Sequence, residues 1–291
     1  MQTEFWQSTR KKPNGNAEGE LTIIRFRKVL ILASSSLAAM LSSCVTPSLS
    51  PANIALWRME CGEFHVKNIG GKPRHLSNGC YLIRHGEQYL LWDAGLEETL
   101  IGKPEVSDSQ TVSLTKALLP QLAEIGVDPL KIGRLGVSHY HGDHYGQAAR
   151  FPNARLMIGR EDWAEIKSRP DHAALVQPWV EGKAVVEELV GDTDVFGDGR
   201  VVIVDTPGHT PGHKSLLVHL SSGAVLLTGD AVHFRDQLET GQPSGNHTDK
   251  AAGANSIQRM LKIQNEVPAK IIVQHDPLDI GKLPAFPDAA E

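Results

Sequence analysis

Between Ser138 and His144 the chain reads Ser-His-Tyr-His-Gly-Asp-His, so three imidazoles and one carboxylate fall within six residues as H-x-H-x-D-H. A helix would scatter these side chains around its circumference. A loop leaving a strand can turn several of them toward one point. The preceding Gly133-Arg134-Leu135-Gly136-Val137-Ser138 reads as a short buried strand. The spacing therefore predicts a metal site at the C-terminal mouth of that strand.

Further polar residues follow other predicted strands. Thr206-Pro207-Gly208-His209-Thr210-Pro211-Gly212-His213 is a turn-rich loop after strand 201–204. Asp230 closes Thr228-Gly229-Asp230 after strand 224–227, and His275 follows strand 270–273. The collected set is His139, His141, Asp143, His144, His209, Asp230 and His275. Mixed imidazole and carboxylate donors suit zinc or a similar divalent ion. Seven donors exceed one tetrahedral ion. They suit two ions, with about three protein ligands each and one shared carboxylate, leaving room for a bridging hydroxide. His213 is expected to support its loop through hydrogen bonds. Asp93, at a strand end just before Gly95, is expected to orient the loop or a ligand imidazole. His65, His75, His85, His172, His219 and His247 suggest no partners and read as solvated or core residues.

The elements that must position these residues interleave strands and helices. Strands are expected at 54–61 and 63–66 around a turn at Gly62, and at 80–83 and 88–92 around His85-Gly86-Glu87. Others are expected at 155–158 and 184–189, with a hairpin of 215–220 and 224–227. Helical spacing covers Thr111–Ile125 (Leu114, Ala117, Leu118, Leu122), 160–167 and 255–267, and Tyr145 opens another helix ended by Pro152. Residues 96–110, 169–182 and 235–250 read as loops. Polar residues recurring at strand ends fit sheets covered by helices, with a site built from loops at one edge.

The N-terminus reads as a targeting segment. A polar leader precedes Arg25, Arg27 and Lys28, then an apolar run from Val29 to Leu41, then Ser42-Ser43-Cys44. A basic start, a short apolar stretch and small residues at the cut describe a secretory signal, too short to prefer spanning a bilayer. Small residues before Cys44 resemble a bacterial lipobox, which implies cleavage and lipidation there; ordinary cleavage near Ser43 or Pro47 is the alternative. Residues 1–43 thus read as signal peptide with polar leader, 44–52 as tether and 53–291 as the folded domain. The full chain carries a net −5; without residues 1–43 it has 23 Lys/Arg against 31 Asp/Glu, a net −8. That acidity argues against nucleic acid or another polyanion as partner. Cys61 and Cys80 are open to pairing in an oxidising compartment or to burial as small apolar residues.

From about Ile54 to Pro277 these motifs resemble the metallo-β-lactamase superfamily: Asp93 with Gly95, His139-x-His141-x-Asp143-His144, Thr206-Pro207-Gly208-His209, Thr228-Gly229-Asp230 and His275. The resemblance implies an α/β (α+β) chain folded as an αββα sandwich with a dinuclear zinc centre at the sheet edges. It implies that His139, His141 and His209 hold one metal, that Asp143, His144 and His275 hold the other, and that Asp230 bridges. Gaps of 65, 21 and 45 residues separate His144, His209, Asp230 and His275. They are similar to those of the N-acyl-homoserine lactonases, the quorum-quenching branch. Well-known members carry a Tyr three residues after the bridging Asp, where this chain has His233; an exported subgroup resembles it in having His there and a signal peptide. The implied reaction is opening of the lactone by a metal-bridging hydroxide, with Asp143 shuttling a proton and His233 donating to the lactone carbonyl or standing by. The other readings are a B3-like β-lactamase, against which Asp230 argues, and glyoxalase II, for which no glutathione site is evident. A phosphoester or organophosphate hydrolase and a non-enzymatic lipid-anchored metal-binding protein complete the set. The acyl-chain pocket is expected to draw its walls from 169–182 and 235–250.

Overall fold

The computed structural model describes residues 53–291; the expected signal segment, Cys44 and the expected tether to residue 52 lie outside the described residues. The chain runs β1 (Ile54–Ile69), β2 (Lys72–His85), β3 (Gln88–Trp92), β4 (Glu105–Val106), β5 (Gln110–Ser113), α1 (Leu118–Glu124), β6 (Ile132–Val137), β7 (Arg155–Gly159), α2 (Arg160–Ser168), α3 (Pro170–Leu175), α4 (Gln177–Val180), β8 (Val186–Leu189), β9 (Thr193–Asp194), β10 (Val201–Asp205), β11 (Lys214–Leu220), β12 (Gly223–Leu227), α5 (Arg235–Thr240), α6 (Lys250–Glu266) and β13 (Ala269–Ile272). One sheet has the order β4-β5-β1-β2-β3-β6-β7-β8 and the other β13-β12-β11-β10-β9.

Successive strand residues point to opposite faces, and here both faces of each sheet are apolar. Leu90, Trp92, Tyr81 and Ile83 point into the core between the sheets, where they meet Ile203, Leu216, Val218, Val225 and Leu227. Leu91, Leu82, Leu135 and Val137 point outward and are covered by Leu118, Leu122, Trp163 and Ile166 of α1 and α2. On the second sheet Leu217, Leu226 and Ile271 point outward under Ile257 and Met260 of α6. This is the expected αββα sandwich. Each side chain buried this way contributes ~1.5–3 kcal/mol, so the three layers of apolar contact hold the fold, and the polar edge can be given over to chemistry.

Strand direction explains that edge. β6 runs parallel to β3, and β13 parallel to β12. β10 is antiparallel to β11, which is antiparallel to β12, so β10 and β12 also run together. The segments after β3 and β6, and those after β10, β12 and β13, therefore leave from the C-terminal ends of parallel strands, where open α/β sheets build their sites.

Some expected elements are redrawn. Residues 54–69 form one long strand, and Gly62 is a bulge in it rather than a turn. The β1–β2 register shifts between Glu60 and Glu63, and Gly62 has φ 128°, with Leu96 Cδ1 within 2.3 Å of where a Cβ would stand. Residues 111–125 are not one helix. Gln110–Ser113 pair with β1, where Val112 lies opposite Phe64, and the helix starts only at Leu118. Tyr145 begins no α-helix, because the chain makes only a single 3₁₀ turn at Ala148–Arg150. Residues 169–182 hold the short helices α3 and α4, and 235–240 form α5. Cys61 and Cys80 are disulfide-bonded across β1 and β2. No described helix is long and apolar enough to cross a membrane.

Candidate metal centre

The loop after β6 folds so that its donors turn inward. Asp93, at the end of β3 with φ 59°, accepts the Ser138 backbone N–H on Oδ1 at 2.7 Å and faces His144 Nδ1 with Oδ2 at 2.9 Å. The Ala94 N–H donates to the His144 carbonyl at 2.7 Å. A proton on His144 Nδ1, the tautomer this partner requires, leaves the Nε2 lone pair for the site. His275 is set the same way, its Nδ1 2.9 Å from the Ser77 carbonyl oxygen. Asn78 ties the two loops together, donating to the Asp143 carbonyl at 2.7 Å while it accepts from Gln274 at 2.7 Å.

The loop after β10 is docked by Asp162, in the first turn of α2. Its carboxylate accepts from Thr210 Oγ1 (2.6 Å) and from the backbone N–H groups of Gly212 (2.7 Å) and Tyr140 (3.1 Å), so one acid joins both histidine loops. Burial raises its pKa to about 6. The approach is so close that a Cβ at Gly159 would stand 1.9 Å from the Gly212 carbonyl oxygen.

The seven expected donors converge. His139 Nε2 and His209 Nε2 stand 2.8 and 2.9 Å from His141 Nδ1, and 3.7 and 3.5 Å from Asp230 Oδ2. On the other side of Asp230, His144 Nε2 and His275 Nε2 lie 3.4 and 3.1 Å from Oδ1, and Asp143 Oδ2 lies 3.3 Å from His144 Nε2 and 3.8 Å from His275 Nε2. One carboxylate thus stands between two donor sets of three, with His275 Nε2 also 3.2 Å from Oδ2. His144 Nε2 and Asp230 Oδ1 are fully buried and have no hydrogen-bond partner. Orphaned buried lone pairs are costly, and these point at each other across a space ringed by ligand atoms, which fits a cation-binding site.

Electrostatics separate the two sets. Burial holds the His139, His141 and His209 pKa values down, His209 to about 2, so these imidazoles are neutral. Burial also opposes charge on His144 and His275, but the facing carboxylates outweigh it and raise both. Against the same burial, the neighbouring imidazoles lower Asp143 to about 2 and Asp230 well below the carboxylate range. Ionised carboxylates and neutral imidazoles are the forms that bind divalent ions, so a cation entering beside Asp143 would displace the protons that the carboxylates favour on His144 and His275.

His213 takes the supporting role expected of it. Its buried Nε2 accepts the Asp230 and Ala231 N–H groups at 3.0 and 3.2 Å, while Nδ1 lies 2.9 Å from Thr206 Oγ1. His233 is buried in the wall of the site with Nε2 3.2 Å from Asp230 Oδ2 and 3.1 Å from Asn246 Nδ2. His247, read from sequence as a bystander, packs against the rings of His209 and His233 at 5.3 and 6.1 Å, and burial pulls its pKa to about 4. His172 joins the Tyr145 hydroxyl. Asp162, Asn78 and His247 carry no sequence signal beyond an acid in a helix's first turn, because their partners are distant in the chain.

Beside the donors opens a cavity of about 490 Å³, reached by His141, Asp143, Asp230, His233 and His275. Its apolar wall is Phe64, Val66, Ile69 and Leu76 from the β1–β2 hairpin, with Phe234; Ser244–Asn246, Asn68 and Gln110 add a polar rim. The 235–250 segment thus contributes as expected. Residues 169–182 do not line this cavity, and the hairpin takes their place.

The sequence pattern of the metallo-beta-lactamase superfamily matches residues 76–275. N-acyl homoserine lactonase AttM of Azorhizobium caulinodans is 31% identical over 248 residues, 77% of this chain and 94% of that protein. An N-acyl homoserine lactonase of Bacillus thuringiensis is 28% identical over 218 residues, 71% of this chain and 84% of that one. Among solved structures, a B. thuringiensis AiiA variant with N-decanoyl-L-homoserine bound at its active site superposes with TM-score 0.71 at 22% identity, covering 82% of this chain and 100% of that chain. AidC, a dizinc quorum-quenching lactonase, gives TM-score 0.59 at 16% identity, covering 83% and 91%.

Proposed function

Since the chain belongs to the metallo-beta-lactamase superfamily of hydrolases, we propose that it opens the lactone ring of N-acyl-homoserine lactones, using two divalent metal ions, most simply zinc. The observation that carries this reading is Asp230 dividing two three-donor sets at the floor of an apolar-walled cavity. The lactonase relatives supply the substrate class. His139, His141 and His209 would hold one ion, Asp143, His144 and His275 the other, with Asp230 shared. Ions held there lower the pKa of a bound water toward ~7 and draw charge from a carbonyl oxygen.

The chain's own groups do the rest. Phe64, Val66, Ile69, Leu76 and Phe234 take the acyl chain out of water. Asp143, at the cavity floor, would take the proton given up by the attacking water's oxygen and pass it to the departing alkoxide. His233 presents Nε2 to the cavity beside Asp230 and donates to the lactone carbonyl when protonated there. Export, with lipidation at Cys44, belongs to the same proposal; the Cys61–Cys80 bond supports an oxidising compartment, and mass spectrometry of the membrane fraction tests it.

The test of function is a substrate panel on purified residues 45–291: acyl-homoserine lactones, a chromogenic cephalosporin, S-lactoylglutathione and a phosphodiester. Lactone turnover should exceed the others by orders of magnitude. Negligible lactone turnover beside efficient cleavage of another substrate overturns the reading.

A further inference from the structure

A second set of metal-ligating side chains lies on the β1–β2 hairpin. His65 on β1 stands opposite His75 on β2, and Glu63, two residues before His65, shares its face. The two imidazoles stack at 4.5 Å with their planes 5° apart. Glu63 reaches both, Oε2 2.9 Å from His75 Nε2 and Oε1 3.7 Å from His65 Nε2. The three ligand atoms all lie within 4.8 Å of one another. Ser113 on β5 holds the carboxylate, donating its hydroxyl to Oε1 at 3.1 Å. The cationic neighbours are engaged elsewhere: Lys67 donates to the Ser107 carbonyl at 3.3 Å, and Arg74 stacks on Phe234 at 4.6 Å.

We propose that this face binds one first-row divalent transition ion, Zn²⁺ or more tightly Cu²⁺, through His65, His75 and Glu63, with water completing the shell. Two imidazoles and a carboxylate are a donor set such ions take. Two strands already paired in register supply all three donors, so little backbone freedom is lost on binding. Zinc–nitrogen bonds of ~2.0–2.1 Å put two Nε2 atoms about 3.3 Å apart. The stacked rings reach that spacing by tilting toward each other, which their 56% and 42% exposed side chains leave room for. The proton shared between His75 Nε2 and Glu63 leaves to solvent as the ion enters. On the opposite face of the same two strands, Phe64, Val66 and Leu76 wall the cavity, so a bound ion ties β1 to β2 directly behind that wall.

The test uses protein whose sheet-edge centre is already saturated with zinc. Titration with Zn²⁺ against a chromophoric chelator should reveal one further equivalent with micromolar Kd. The Cu²⁺ adduct should show superhyperfine splitting from two nitrogens in its electron paramagnetic resonance spectrum. His65→Gln and His75→Gln should each weaken this equivalent at least tenfold, and Glu63→Gln severalfold, while the zinc content of the sheet-edge centre stays unchanged. Failure of any further equivalent to bind below 100 µM, on the order of a surface ligand pair's weakest useful affinity, overturns the proposal. So does a His65→Gln/His75→Gln double variant that binds as tightly as the natural chain, or a copper spectrum with fewer than two nitrogens.

Discussion

At the sheet edge His144 is fully buried, its Nδ1 fixed by Asp93 at 2.9 Å and its Nε2 left without a hydrogen-bond partner. On the hairpin His75 exposes 42% of its side chain and already spends Nε2 on Glu63 at 2.9 Å. The residue types are the same and the preparation is opposite. The buried donors had their water removed and their tautomers set when the chain folded. The exposed donors must shed water, a proton and rotamer freedom when an ion arrives. A folded-in desolvation cost is returned only by a ligand, so the buried set should bind far more tightly. It should also be far more sensitive to the residues behind it.

The largest effect should come from Asp230→Asn, because this carboxylate faces both donor sets. An amide brings one neutral oxygen and turns an NH₂ group toward imidazole lone pairs. Metal content after dialysis should fall for both sets, and kcat/KM should drop more than ~100-fold, beyond the 10–100-fold cost of losing a supporting residue. Full metal content with near-normal turnover would sink the shared-carboxylate reading.

Next comes Asp93→Ala, which would make the buried His144 as loosely set as His75. Removing the acceptor of Nδ1–H should weaken metal binding ~10–100-fold, measured by competition with a chelator. Unchanged affinity would mean that Asp93 serves the Ser138 backbone alone. A smaller loss is expected for His213→Ala. It strips the Asp230 and Ala231 N–H groups of their acceptor, at ~1–3 kcal/mol of stability. His213→Gln, whose amide oxygen can accept one of those bonds, should recover part of both stability and metal affinity. Equal loss in the two variants would leave packing as the only role of the ring.

The donors were legible in the sequence because each lies within a few residues of a strand's C-terminal end, and parallel strands bring such ends together whatever the intervening chain does. Asp93, one residue past β3, was legible for the same reason, and His213 because it closes the turn-rich loop that carries His209. The supports reaching across the fold were not: Asp162 meets Thr210 and Gly212 only because α2 packs beside the loop after β10. The hairpin wall was hidden by a glycine. Phe64 and Val66 alternate with Glu63, His65 and Lys67 as a strand should, but Gly62 reads by its type as a turn between two strands. Only the pairing across the bulge shows β1 to be continuous and its apolar face to be a cavity wall. The helix expected over 111–125 failed because Val112 is claimed by a strand partner 48 residues earlier, across from Phe64; local periodicity carries no trace of that pairing.

The smallest effect on metal binding, and the sharpest separation of site from scaffold, should come from the Cys61–Cys80 bond. It lies directly under the turn that carries Asp93: a Cβ on Gly95 would stand 2.9 Å from Cys61 Sγ, and Leu96 N–H donates to the Cys61 carbonyl at 3.1 Å. The bridge spans 19 residues, and closing a loop of that size in the unfolded chain is worth about 3 kcal/mol. Yet every hydrogen bond that sets His144 and Asp93 is made by other groups. Cys61→Ser/Cys80→Ser should therefore lower the denaturation midpoint clearly while changing the chelator-measured metal affinity by less than about threefold, the size of a context effect rather than of a lost support. A tenfold or greater loss of affinity would show that the bridge holds the Asp93 turn in place, and the contrast between a braced site and the scaffold around it would have to be redrawn to include the disulfide.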